Sequence, residues 1–79
     1  MIKKYFQLER KNIAIVQFII EGYEGMATVT TMDSQKALIR VSIIPDYISV
    51  INELLEHLKF RYAMKEIFDI KENIQNSRE

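Results

Sequence analysis

Residues that often reveal a function are scarce in this chain. Its 79 residues include no cysteine, no tryptophan, one histidine, one proline and two glycines. Without cysteine there are no disulfides and no thiolate chemistry, and because small secreted domains usually carry disulfides, we expect a cytoplasmic protein. One histidine without cysteine argues against zinc.

An excess of one charge and a long apolar run are missing too. Eleven basic and eleven acidic residues give a net charge of zero, so no long-range field attracts nucleic acid or anionic membranes. The longest apolar run, around residues 13–20, is interrupted by Gln17 and is too short to span a bilayer. The opening "MIKKYFQLER" lacks the apolar segment of a signal peptide. We therefore expect neither a nucleic-acid partner nor membrane insertion.

The sequence shows no set of residues typical of an active site. Its carboxylates are scattered, and its serines lie outside any nucleophile motif. His57 borders the apolar stripe of a predicted helix and has Glu53 one turn before it, which indicates a surface pair. We expect no enzymatic activity, no metal and no cofactor.

The chain contains enough hydrophobic residues to form the core of one small domain. They make up 48% of the chain, which excludes intrinsic disorder. We predict a single domain over residues 1–70 and a polar tail over residues 71–79. A chain of this size buries only about 60–65% of its unfolded surface, so self-association would add stability.

Alternation and turn residues predict four strands, over residues 2–8, 26–32, 36–44 and 64–70. Phe6 and Leu8 should face inward in the first strand. The inward face of the fourth is ambiguous, since Ile67 and Phe68 oppose each other. The inward residues of the middle strands are Ala27, Val29, Thr31, Ala37, Ile39, Val41 and Ile43.

Two helices are predicted by a 3.6-residue apolar period. The first covers residues 10–21; a strand over 13–20 is rejected, because the run lacks clean alternation and ends at a glycine. Gly22 should end it in a left-handed conformation, with Tyr23 packing on Phe18. The second begins at an Asp46 N-cap and runs to about residue 60. The apolar arcs are Ile13, Ile15, Val16, Ile19, Ile20 and Tyr23, and Tyr47, Val50, Ile51, Leu54, Leu55 and Leu58.

The order of these elements, βαββαβ, predicts an α+β, ferredoxin-like domain. Right-handed crossovers place both helices on one face of a four-stranded antiparallel sheet. The first and third strands should be central, and the second and fourth should form the edges. One end of the sheet then carries residues 9–12, the "DSQ" turn at 33–35 and the Arg61–Tyr62 corner. Residues 22–25 and 45–46 lie at the opposite end.

In this order and pattern, the chain resembles ACT domains over residues 4–70. The features that carry the resemblance are "LERKNIAIV", the glycine after the first helix, the hairpin, and "IIPDYISVINELLEHL". It is also similar to small bacterial proteins that consist of one such domain. ACT domains commonly bind amino acids at the first strand-to-helix loop, between paired subunits, so the resemblance implies pairing and a sensing role. ACT domains usually have an acidic residue, proline and glycine there, where this chain has Arg10, Lys11 and Asn12.

Two surfaces are candidates for function. Arg10, Lys11 and Asn12 at a helix N-terminus, joined by Arg61 and Tyr62, could bind a small anionic metabolite, or could be ordinary solvated residues. The second strand, "MATVTTM", is an edge without lysine, proline or charge, which invites pairing with another strand, unless it is simply short and twisted. Its candidate interface residues are Met26, Thr28, Val29 and Thr30.

The sequence therefore predicts a non-catalytic regulatory or ligand-sensing domain that forms a homodimer. The alternative is a module that docks on a larger protein partner through the edge strand or the open sheet face around Tyr5 and Arg40. RNA binding on that face is disfavoured, because the third strand offers no aromatic side chain for base stacking.

Overall fold

A computed structural model describes residues 1–69, so Ile70 of the predicted last strand and the predicted tail, residues 71–79, lie outside the described residues. The strands are β1 (Ile2–Gln7), β2 (Ala27–Asp33), β3 (Leu38–Ile43) and β4 (Lys65–Ile67), and the helices are α1 (Ile13–Glu21) and α2 (Ile48–Arg61). A turn of 3-10 helix precedes each α-helix, at Arg10–Asn12 and Pro45–Tyr47.

The strands form one antiparallel sheet in the order β2-β3-β1-β4. Both helices lie on one face, so the α+β, ferredoxin-like prediction is confirmed, as are the central and edge positions of the strands. Asp33 shapes the β2–β3 hairpin, since its Oδ1 accepts hydrogen bonds at 3.0 Å from the backbone N–H groups of Gln35 and Lys36. This Asx-type turn explains why the chain reverses at "DSQ" without glycine.

The core lies between the helices and the inward face of the sheet. Phe6, Ile39, Val41 and Ile43 are fully buried, as the alternation of β1 and β3 predicts. From the helices, the buried side chains are Val16, Ile20, Ile51, Leu55 and Leu58. Thr31 pairs with Ile39 in the same register as Ala27 and Val29, so it lies on the predicted face, but it is exposed; the β2–β3 register shifts only after it, between Thr31 and Asp33.

Both predicted apolar arcs are too wide. Ile15 is 41% exposed on α1, and Val50 is 43% exposed on α2; Tyr23 and Tyr47 are also exposed. Within residues 1–69 the sheet has four strands covered by two helices, and it buries a narrow stripe of each helix. The outer margins of both stripes remain at the surface.

The helix ends differ from their sequence-based predictions. Gly22 stays right-handed, with φ −68°, and its N–H still donates to the Phe18 carbonyl at 3.0 Å. The chain turns later, at Glu24 (φ 48°) and Gly25 (φ 83°). Phe18 is 76% exposed, so Tyr23 covers little of it. The N-cap of α2 is Tyr47 and not Asp46, which lies one residue earlier, inside the 3-10 turn.

An ion cluster attaches β4 to the rest of the fold. Glu66, whose side chain is 14% exposed, lies 3.9 Å from Lys4 Nζ and 3.6 Å from Lys59 Nζ. Lys59 also approaches Glu56 at 3.3 Å. β4 is only three residues long, so these contacts to β1 and α2 supplement its short hydrogen-bonded ladder. They also account for Lys4 on the inward face of β1, where its charge is paired.

The two glycines should respond differently to alanine. Gly25→Ala places a side chain at φ 83° and should lower the free energy of unfolding by about 1–2 kcal/mol. Gly22→Ala keeps a helical φ, and its Cβ would meet the Phe18 carbonyl oxygen at 3.3 Å, so we expect a change below about 1 kcal/mol. Urea unfolding measures both, and a larger loss for Gly22→Ala would contradict the observed loop.

The ion cluster predicts a pH dependence of stability. The hydrogen bond from Lys59 to Glu56 raises the pKa of Lys59 above its ordinary value of 10.5. Partial desolvation lowers the pKa, and charge attraction from Glu56 and Glu66 raises it further. Because the pKa of Lys59 is higher in the folded state, its charged form stabilises the fold at pH values below 10.5. This stabilisation is lost as the pH rises through the folded-state pKa. Urea unfolding across this range should show wild type and Lys59→Gln converging at high pH. A stability difference that persists there would contradict it.

Candidate functional site

The predicted ligand-binding residues lie at the same end of the sheet. Gln7, at the end of β1, donates from Nε2 to the Lys36 carbonyl at 2.8 Å, and it lies opposite Lys65 at the start of β4. The first strand-to-helix loop, the hairpin and the corner after α2 therefore share this end, which we call the basic end.

The local geometry of the basic end is open. Arg10 and Lys11 are exposed, and Lys11 Nζ lies 3.6 Å from a Glu9 carboxylate oxygen. The Asn12 N–H donates to the Glu9 carbonyl at 2.9 Å within the 3-10 turn, so it is not available to an anion. No pocket occurs within the described residues.

Arg61 and Tyr62 form a local pair at the same end. Arg61 Nε donates to the Tyr62 hydroxyl at 3.4 Å, and its guanidinium lies 5.6 Å from the Tyr62 ring centroid. The Tyr62 ring also packs against the hydrophobic core. This packing fixes the position of Arg61 beside the corner, an arrangement compatible with surface binding of an anion.

The outer edge of strand β2 is hydrogen-bonded to α1 at its centre. Val29 lies opposite Val41 of β3, yet its N–H points away from β3 and donates to Glu21 Oε2 of α1 at 3.0 Å. Gln17 supports the same carboxylate from one turn earlier, with Nε2 at 3.5 Å from Oε1. The charge that the sequence lacks on β2 is therefore supplied by the neighbouring helix.

The predicted interface residues of β2 divide into two groups. Thr28 and Thr30 are exposed, whereas Met26 is half-buried and the Val29 side chain belongs to the core. Val29 could therefore contribute only its backbone to strand pairing, and that N–H is already bonded.

A third surface, formed by the outer faces of the helices, was missed in the sequence analysis. Phe18 is the most exposed large apolar side chain of α1, and Ile15, three residues earlier, lies on the same face of the helix. The signal was present in the sequence: α1 contains only two polar residues, Gln17 and Glu21. A helix that is apolar all round is normally buried all round.

Exposed apolar side chains of α2 extend this surface. Lys59 points toward β4, where it meets Glu66. Val50 lies nine residues earlier, half a turn around the helix at 100° per residue, and so points the other way, toward α1. The outer surface formed by Ile15, Phe18, Tyr23, Tyr47 and Val50 is called the helical patch below.

The open sheet face carries one row of cross-strand neighbours. Thr30, Arg40, Tyr5 and Ile67 lie side by side across all four strands. Tyr5 is the single aromatic side chain in this row, and Arg40 beside it is half-buried. The RNA-binding arrangement of several stacked aromatics is therefore not formed by these residues.

Within residues 1–69, no group of three or more histidine or acidic side chains is arranged to hold a metal ion. No helix in this part of the chain has the length and apolar character needed to cross a membrane.

Comparison with known proteins identifies a family without a known activity. Residues 6–61, more than half of the chain, match the model of a domain of unknown function, DUF4911. The chain therefore belongs to the DUF4911 family. Neither a curated protein nor a solved structure matches it, and the resemblance to ACT domains stays a prediction.

Proposed function

We propose that this DUF4911 domain is a non-catalytic interaction module that pairs with a second copy of itself through the helical patch. The observation that carries the proposal is the 76% exposure of Phe18 on a helix with only two polar residues. Water contact of this ring and of Ile15 costs free energy that burial against a partner would recover.

The polar residues of α1 strengthen this reasoning. Gln17 and Glu21 are bonded to each other and directed at the β2 edge, so they leave the outer face to Ala14, Ile15 and Phe18. An aromatic side chain surrounded by smaller apolar residues is the usual centre of a protein interface.

A second copy of the chain is the partner that fits this surface. The net charge is zero, so two copies meet without overall electrostatic repulsion, and a two-fold axis brings the same apolar patch onto itself. A domain this small also gains stability by extending its core across an interface.

The size of a stable interface explains why the helical patch must include α2. A typical dimer buries about 800 Å² on each partner, whereas the nine residues of α1 form a cylinder only about 13.5 Å long. Tyr47 at the N-cap of α2 and Val50 in its first turn lie beside it, 40% and 43% exposed, and they enlarge the patch in the direction of Tyr23.

Replacing Phe18 should therefore abolish pairing and leave the fold intact. We expect Phe18→Ser to weaken the dimer at least about 30-fold, the effect of an interface hot spot of 2 kcal/mol. Because the ring is mostly exposed, the isolated subunit should lose less than about 0.5 kcal/mol of stability. Sedimentation equilibrium and urea unfolding measure the two effects.

Phe68→Ser is the matched control. Phe68 is 85% exposed just after β4, at the sheet edge opposite β2 and away from the helical patch, so its replacement should leave the dimer unchanged. A monomeric wild type at tens of micromolar, or equal weakening by both variants, would contradict the proposal.

A second candidate function, binding of a small anionic metabolite such as an amino acid, is favoured by the distribution of charge. The chain is neutral overall, yet the basic end collects Arg10, Lys11, Lys36, Arg61 and Lys65 against Glu9 and Asp33. Glu21, Glu24 and Asp46 lie toward the opposite end. Convergent cations attract carboxylates and phosphates.

Titration with glutamate or inorganic phosphate tests this candidate. We expect saturable NMR shifts of the Lys11, Asn12 and Ile13 amides, and we expect Arg10→Ala with Lys11→Ala to abolish them because the nearest charges are removed. Lys3→Ala, which removes an exposed lysine on β1 away from this end, should leave them unchanged. Absence of shifts at millimolar ligand would contradict it.

A further inference from the structure

We infer that β2 is a strand-addition edge for a second copy of this chain, and that the Glu21 carboxylate keeps it closed. The inference concerns a surface separate from the helical patch and does not depend on it. It starts from the bond between Val29 N–H and Glu21 Oε2, 3.0 Å long.

The direction of the backbone groups along β2 defines the edge. The backbone carbonyl of Met26 points toward β3 and accepts a hydrogen bond from the Ile44 N–H at 3.0 Å. Because backbone groups alternate along a strand, the N–H and C=O groups of Thr28 and Thr30 point toward β3, and those of Ala27, Val29 and Thr31 point away from it. The N–H of Val29, which bonds to Glu21 and not to β3, agrees with this alternation. The edge therefore presents three residues to a partner, and Val29 is the central one.

The side chains of β2 suit an antiparallel copy of the same strand. With a two-fold axis at Val29, each Val29 would exchange N–H···O bonds with its counterpart. Thr28 would then lie directly opposite Thr30 of the other copy on both sides of the axis, and threonine pairs are favourable cross-strand neighbours. β2 itself carries no charge before Asp33 to oppose this.

Glu21 blocks this pairing in two ways. It holds the Val29 N–H, which is the central donor that the pairing requires. It also lies so close to the axis that the two carboxylates would face each other across the new sheet, where like charges repel. Gln17 stabilises the blocking position through its own contact to Glu21 Oε1 at 3.5 Å.

This assigns a role to both polar residues of α1. In most sheets, charges or proline on the edge strand itself prevent unwanted pairing. Here the Glu21 side chain of α1 covers the edge, and the sequence of β2 itself is still able to pair with another strand. Any change that withdraws Glu21 converts the closed edge into an interface.

Cross-linking in a chain without native cysteine tests both the block and the register. Thr28→Cys and Thr30→Cys are made as separate single variants, one of them labelled with ¹⁵N, and are mixed under oxidising conditions. Opposed residues of this type have Cα atoms about 4.5 Å apart, within the range that a disulfide spans. Mass spectrometry identifies which pairs form.

With Glu21→Ala in both partners, we expect the mixed Thr28→Cys–Thr30→Cys disulfide to be the main product. With native Glu21, or with the control Glu53→Ala on α2, it should be a minor one. Equal yields in all three backgrounds, or a preference for Thr30→Cys pairing with itself, would overturn the inference.

Two further measurements cover the case in which Glu21→Ala does not fold. Glu21→Gln keeps an acceptor for Val29 but removes the charge, so its mixed disulfide yield should lie between those of wild type and Glu21→Ala, and above wild type in any case. In the wild type, the Val29 amide should exchange with solvent far more slowly than that of Thr31, its outward-facing neighbour. A Glu21→Gln yield equal to wild type, or equally fast exchange of both amides, would refute the block.

Discussion

The structure depends on one constraint: two helices must cover the inward face of a four-stranded sheet, and one of them has nine residues. The central strands β1 and β3 bury Phe6, Ile39, Val41 and Ile43 completely. Only Val16 and Ile20 of α1 reach this core as fully buried residues. Ile13 and Ile19 are partly buried against it, and the apolar residues Ala14, Ile15 and Phe18 are left exposed.

That surplus of apolar surface connects the fold to the proposed function. A domain of this size has little capacity to bury a helix on all sides. Phe18 and Ile15 consequently face outward, where a second subunit can cover them. The two polar residues of the same helix are used at its other flank, on the open edge of β2. One short helix thus offers one surface for association and closes another.

The prediction of the fold from sequence succeeded where periodicity was unambiguous. Alternation in "KALIRVSII" allows one inward face, which is confirmed. The helical stripe of "YISVINELLEHL" is confirmed at its centre, Ile51, Leu55 and Leu58, while Tyr47 and Val50 at its margin are exposed. Predictions failed at helix ends. Gly22 looked like a left-handed cap, but the left-handed end belongs to α2, where Ala63 has φ 51° and the Met64 N–H donates to the Lys59 carbonyl at 3.1 Å. Burial of Met64 favours that ending, and no local pattern indicates it.

The sequence by itself determined the order of the elements, the inward faces of β1 and β3, the edge position of β2 and the balanced charge. The element order, the inward faces and the charge follow from periods of 2 and 3.6 residues and from composition, which are local properties, and the edge position of β2 follows from that order and the handedness of crossovers. The tertiary structure decided that Glu21 meets Val29, that Lys4 and Lys59 share Glu66 and that Phe18 stays exposed. Each of these depends on which distant segments the crossovers bring together, and a linear pattern carries no such distances.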